Sequence, residues 1–190
     1  MTKEKTTAKS RIDVKTMVLV ALMAALCCVI SPISVPIGAI PISLGVLAAY
    51  LCAFALGSKK GTLAFAIYLL LGLVGLPVFS GYAGGPAKLF GPTGGYLIGM
   101  IFLVLISGLF IDRFGIRKWY MQVIGMVLGL AVCYALGTLW YMFQAKVTFA
   151  QGMATCVIPF LPVDAIKIAL ALLIGNTLRK ALSAAHLVEY

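Results

Sequence analysis

Six long apolar runs joined by short connections leave this chain few ways to fold. They lie at about residues 16–33, 42–57, 61–78, 94–111, 119–143 and 153–178. Apolar residues make up 63% of the sequence and charged residues only 11%. A soluble domain carries roughly 25% charged residues. The pattern predicts an all-α membrane protein with six transmembrane helices. At ~1.5 Å rise per residue, most runs just reach across a ~30 Å hydrocarbon core. The run at 42–57 is short by that measure, and the longest must tilt or protrude.

The net charge of +10 suggests nucleic acid until the charges are placed. With the N-terminus inside, all Lys and Arg except Lys88, Lys146 and Lys167 fall on the cytoplasmic side of the runs. This is the asymmetry that orients a protein in a bilayer. Lipid, not nucleic acid, is therefore the expected partner of this surface. The same placement predicts cytoplasmic N- and C-termini in a cell membrane. It also divides the chain into a basic tail (1–15), a membrane domain (16–180) and a second cytoplasmic tail (181–190). Trp119–Tyr120 and Trp140–Tyr141 bracket the fifth run as interfacial belts do. The five cysteines show no metal-ligand spacing and read as small buried hydrophobes. No metal or cofactor is expected.

Two outward connections do not look solvated. The stretch Gly72–Gly95 holds eight glycines, three prolines and one charge, Lys88. Glycine permits left-handed backbone and proline removes a donor, so its latter two-thirds cannot be regular helix. Phe79, Tyr82 and Phe90 make it too aromatic for a linker, and a long ordered loop is usually functional. The connection Ser31–Pro41 has three prolines and no charge. Two such loops on one side are expected to close a cavity together.

Asp164 and Lys167, in PVDAIK, are the charged residues expected inside a span. An ionisable group there costs at least ~2.5 kcal/mol on insertion scales and is a functional candidate by default. The i, i+3 spacing puts both on one helical face. The alternative is a pair that merely joins two helices, although an apolar pair does so without the desolvation cost. Small residues recur four apart at Ala21–Ala25, Gly95–Gly99 and Gly125–Gly129, which permits close helix approach in lipid. Taken alone, each pair is expected to pack within the chain. The sequence has no GxxxxGK[ST] phosphate loop, HExxH, GxSxG or paired carboxylates, so an enzymatic reading finds no catalytic constellation.

GLPVFSGYAGGPAKLFGPTGGYLIG, PISLGVLAAYL at Pro41–Leu51 and PVDAIK together resemble the BioY family, the biotin-specific S components of energy-coupling factor transporters. The resemblance covers most of residues 16–180. One departure is Gly45, where a Gln-like polar position is expected. The resemblance implies a six-helix protein that captures biotin from outside, partnered by a transmembrane coupling subunit and two ATPase subunits. It implies ligand contacts from Asp164 and Lys167, with Phe79, Tyr82, Lys88 and Phe90 of the loop as further candidates. It also makes Ala21 and Ala25 the candidate docking pair. Biotin fits this chemistry: an apolar body, two ureido N–H donors, a carbonyl and a carboxylate. The competing reading is a self-sufficient secondary transporter with Asp164 as coupling carboxylate, which the absence of a clear inverted repeat weakens.

Overall fold

The computed structural model describes residues 13–36, 41–115 and 117–187. Most of the basic tail, the centre of the first loop (37–40), residue 116 and the last three residues lie outside the described residues. The described elements are α1 (Val14–Ile30), β1 (Ser34–Val35), β2 (Ile42–Ser43), α2 (Gly45–Leu73), α3 (Pro86–Leu89), α4 (Gly94–Phe114), α5 (Trp119–Ala145), α6 (Phe149–Cys156) and α7 (Leu161–Ala184). Among them α2, α4, α5 and α7 are long and apolar enough to cross a membrane, and α1 is a shorter apolar helix.

The fold turns on Gly57. The second and third runs form one element, α2, broken there by a backbone at φ 73°, ψ −166°. That left-handed φ strains any residue with a side chain. Gly45 and Tyr68 nevertheless line the same cavity, although a straight helix would hold them about 35 Å apart. The two arms of α2 therefore double back on each other. A Cβ on Gly61 would sit 2.7 Å from the Cys52 carbonyl oxygen, so the arms touch at their backbones. The first arm, about 18 Å long, is buried along its whole length from Gly45 to Ser58. It is the core around which the other helices pack.

A break of this kind frees backbone groups on both sides. Asp112, near the end of α4, accepts from Ser58 N at 2.7 Å and from Ser58 Oγ at 2.9 Å, capping the second arm. Arg179 of α7 donates to the Phe54 carbonyl at 3.3 Å at the end of the first arm, and to Asp112 at 3.2 Å. Sequence reasoning placed Arg179 among the cytoplasmic charges and reserved buried charge for Asp164 and Lys167. Arg179 lies at the Gly57 end of the bundle, but it is 4% exposed and so is a buried charge as well.

Close packing of α4 on α5 accounts for the other glycine pairs. A Cβ on Gly99 would lie 3.1 Å from Cys133 Cα, and one on Gly129 3.0 Å from the Leu103 carbonyl oxygen. Gly95 and Gly125 face Trp140 and Phe110 in the same seam. These pairs are internal, as the sequence suggested. Four of the cysteines are buried and Cys28 is half-buried, all with free thiols.

Several boundaries move. The third run ends as helix at Leu73, because the backbone turns at Gly75 with φ 114°. The sixth run begins with a separate short helix, α6, closed by a capping box between Thr148 and Gln151. Pro162 then sits in the first turn of α7, where its missing N–H costs nothing. The all-α expectation also misses an antiparallel ribbon in the first loop, pairing Ser34 with Ser43 and Val35 with Ile42.

Asp13 and Lys15 share a depression with Ser58, Asp112, Arg179 and His186. Both ends of the described chain thus lie at the Gly57 end of the bundle. The two Gly/Pro-rich loops lie at the other end, joined by Gly81 N donating to the Pro32 carbonyl at 3.1 Å.

Candidate functional site

The cavity lies at the loop end of the bundle. Its wall is assembled from Ser31 after α1, Pro41 and Ser43 of the first loop, and Gly45 and Val46 at the start of α2. Tyr68, Ser80 and Thr93 continue it, with Tyr96, Leu97 and Met100 from α4, Cys133 and Tyr134 from α5, and Phe160, Asp164 and Lys167 around the start of α7. Both Gly/Pro-rich loops contribute, as their composition suggested. The lining is largely apolar with a few convergent polar groups, the usual make-up of a small-molecule site.

Asp164 and Lys167 are its ionic centre. They are 1% and 3% exposed, and Lys167 Nζ donates to Asp164 Oδ1 at 2.7 Å across one helical turn. The Tyr134 hydroxyl donates to Asp164 Oδ2 at 2.5 Å. The carboxylate is thus held from two sides while keeping lone pairs free, and an ammonium has three N–H groups of which this pair uses one. The pair can offer an acceptor and a donor to one ligand.

Hydrogen bonds tie the surrounding framework together. Tyr50 donates to the Met126 carbonyl at 3.1 Å, fixing the buried arm of α2 on α5. Tyr96 shares a 2.9 Å hydrogen bond with Thr138. Trp140 Nε1 donates to the Gly91 carbonyl at 3.0 Å and Gln144 Nε2 to the Phe90 carbonyl at 2.8 Å, pinning the end of the second loop to α5.

The BioY family profile matches residues 2–184 of this sequence. The chain belongs to the BioY family. A protein of Thermotoga maritima named "Biotin transporter BioY" is 40% identical over 151 residues, covering 78% of this chain and 86% of that protein. "Biotin transporter BioY2" of Lactococcus lactis subsp. cremoris is 39% identical over 168 residues, covering 87% and 90%. Among solved structures, the S-component for biotin from an ECF-type ABC transporter is similar at 32% identity and a TM-score of 0.81, covering 88% of this chain and 92% of that one.

Within this BioY chain the remaining candidates lie apart from the Asp164–Lys167 centre. Phe79 is fully buried, edge-on to Tyr68 with ring centroids 5.7 Å apart, and stands against Gly72. It supports the Tyr68 wall from behind and does not line the cavity. Tyr82 and Phe90 are 69% and 60% exposed. Lys88 lies in the short helix α3, one residue before its end, and is half-buried. These three sit on the loops that cover the cavity, outside its lining. Ala21 and Ala25 are exposed on α1, on the face away from Val20, Met23, Ala24 and Cys27, which pack inward.

Sequence reasoning missed Tyr134, Tyr68, Tyr96 and Ser31. A tyrosine in an apolar run gives no local sign of whether its hydroxyl meets a carboxylate. The one available signal was the unpaired polarity of each hydroxyl, which in lipid demands a partner.

Proposed function

We propose that this chain is the biotin-binding membrane subunit of an ECF-type vitamin uptake transporter, the S component. It captures biotin from the outer face of the cell membrane and docks on a transmembrane coupling subunit powered by two ATPase subunits. The observation that carries this reading is the Asp164–Lys167–Tyr134 group in the wall of a loop-covered cavity. A buried ionic pair facing a cavity costs stability unless something uses it. No catalytic role follows from it; binding and release suffice.

In this reading α1, the two arms of α2, α4, α5 and α7 are six crossings, alternating in direction. The Gly57 end is cytoplasmic and carries both termini; the loop end faces outward. Asp164 and Lys167 contact the ligand directly. Tyr82, Lys88 and Phe90 belong to the cover that opens and closes over it, and Phe79 stiffens the wall. Ala21 and Ala25 form the docking face for the coupling subunit, because in lipid a detachable partner needs a close-packing surface.

Calorimetry on the purified protein in detergent tests the proposal. One biotin should bind per chain, without turnover and without dependence on Na⁺, and unrelated vitamins should not compete. Ion-coupled transport by the isolated chain in liposomes would instead favour a secondary transporter driven through Asp164.

A further inference from the structure

Ser31 is 1% exposed, and among the described residues its hydroxyl makes no hydrogen bond of good geometry, although the Tyr68 hydroxyl stands near it. A serine at a helix end ordinarily turns its hydroxyl back to the carbonyl four residues earlier. Here Cys27 O takes the Ser31 backbone N–H at 2.9 Å, and the hydroxyl is left over. Tyr68, on the same wall, spends its proton on the Val78 carbonyl at 3.2 Å. Ser31 lines the cavity. A buried hydroxyl without a partner is costly, and natural proteins keep few of them.

The neighbourhood of Ser31 has a definite polarity. A Cβ built on Gly45 would lie 3.7 Å from Ser31 Oγ and 3.2 Å from Ser43 Oγ, so two hydroxyls converge where α2 begins. The Ser43 hydroxyl accepts from Gly45 N at 3.3 Å, which leaves its proton to donate. No side chain of the preceding Leu44 caps the helix, and both Gly45 and Val46 line the cavity. Gly45 N is taken by Ser43, and the N–H groups that follow it at the helix N-terminus favour negative charge or a carbonyl oxygen. The buried arm that begins here is long enough to carry that polarity.

We infer that Ser31 and the start of α2 form a second polar subsite of the cavity, taking an acceptor oxygen of the ligand. The inference rests on the reading that the cavity holds biotin or a close relative. Biotin has two such oxygens, on the ureido carbonyl and on the carboxylate. Together with Asp164 and Lys167 the subsite would fix the ligand at two polar points, and Gly45 leaves the space beside the hydroxyls open.

Ser31→Ala tests this by calorimetry and apo thermal unfolding. Among the described residues the lost hydroxyl makes no hydrogen bond of good geometry, so the apo variant should unfold at the parental temperature or above it. Its biotin affinity should fall about tenfold, and more if the oxygen is charged. Two analogues locate the oxygen: 2-iminobiotin, which lacks the ureido carbonyl, and a biotin whose carboxylate is replaced by a methyl group. The Ser31→Ala penalty should vanish for whichever analogue lacks the oxygen held there and persist for the other. Parental affinity of Ser31→Ala for biotin and both analogues would overturn the subsite. So would a lowered apo unfolding temperature, the mark of a structural hydroxyl. If the parent itself does not bind biotin, the proposed function fails first and the subsite loses its ligand with it.

Discussion

Arg179 and Asp112 meet at 3.2 Å across the break in α2, and between them they satisfy a carbonyl at the end of one arm and an amide at the start of the next. The pair replaces the helical hydrogen bonds that the reversal at Gly57 removes. Arg179→Met should therefore leave Phe54 O and the Asp112 charge poorly satisfied. We expect a loss of about 1–3 kcal/mol, at the lower end because water reaches Asp112. Thermal unfolding in detergent measures it.

Gly57→Ala should be worse tolerated than any exposed substitution. It adds a side chain at φ 73° and drives a Cβ into the Asp112 carboxylate. Strain of about 1–3 kcal/mol is expected from the backbone alone, with displacement of the Asp112 cap in addition. Unchanged thermal stability would mean that the two arms can meet by another turn.

Asp164→Ala and Lys167→Ala should each weaken biotin binding markedly, since each leaves the other's charge buried and unpaired at a cost of about 3–5 kcal/mol. Tyr134→Phe keeps the pair and removes one bond to Asp164, so its effect should be smaller. Calorimetry on the three variants orders them. If Asp164→Ala and Lys167→Ala fold and bind as the parent does, the pair is only a structural clasp.

Ala21→Leu with Ala25→Leu should spare biotin binding, because both residues face away from the core. Co-purification with the coupling subunit and ATP-driven uptake should be lost. Gly99→Leu offers the contrast: its side chain would enter the seam against Cys133, so the protein itself should unfold more readily. Retained uptake by the variant carrying both Ala21→Leu and Ala25→Leu would move the docking face elsewhere on the bundle.

Ala87→Cys reports the membrane orientation. Ala87 is exposed in α3, whereas a side chain at nearby Gly84 would strike the Leu76 carbonyl. A membrane-impermeant thiol reagent added outside should label Ala87→Cys above the parental background, and biotin should slow the labelling. Labelling only from the cytoplasmic side would invert the topology.

The sequence by itself determined the features that depend on neighbours along the chain. Six apolar runs, the asymmetry of the basic residues and the Gly/Pro density of the loops are all local statistics, and each follows from what lipid demands of a backbone and a charge. Asp164 and Lys167 were legible for the same reason: three residues apart on one helix, they must share a face. Tertiary structure decided what depends on distant segments. Whether Gly57 ends one helix or folds two together depends on Asp112 and Arg179, far along the chain, arriving to satisfy the break. Tyr134 is thirty residues from the carboxylate it holds. Ser31 is distinguished by a hydroxyl that makes no hydrogen bond of good geometry among the described residues, which becomes visible only when distant segments are placed around it.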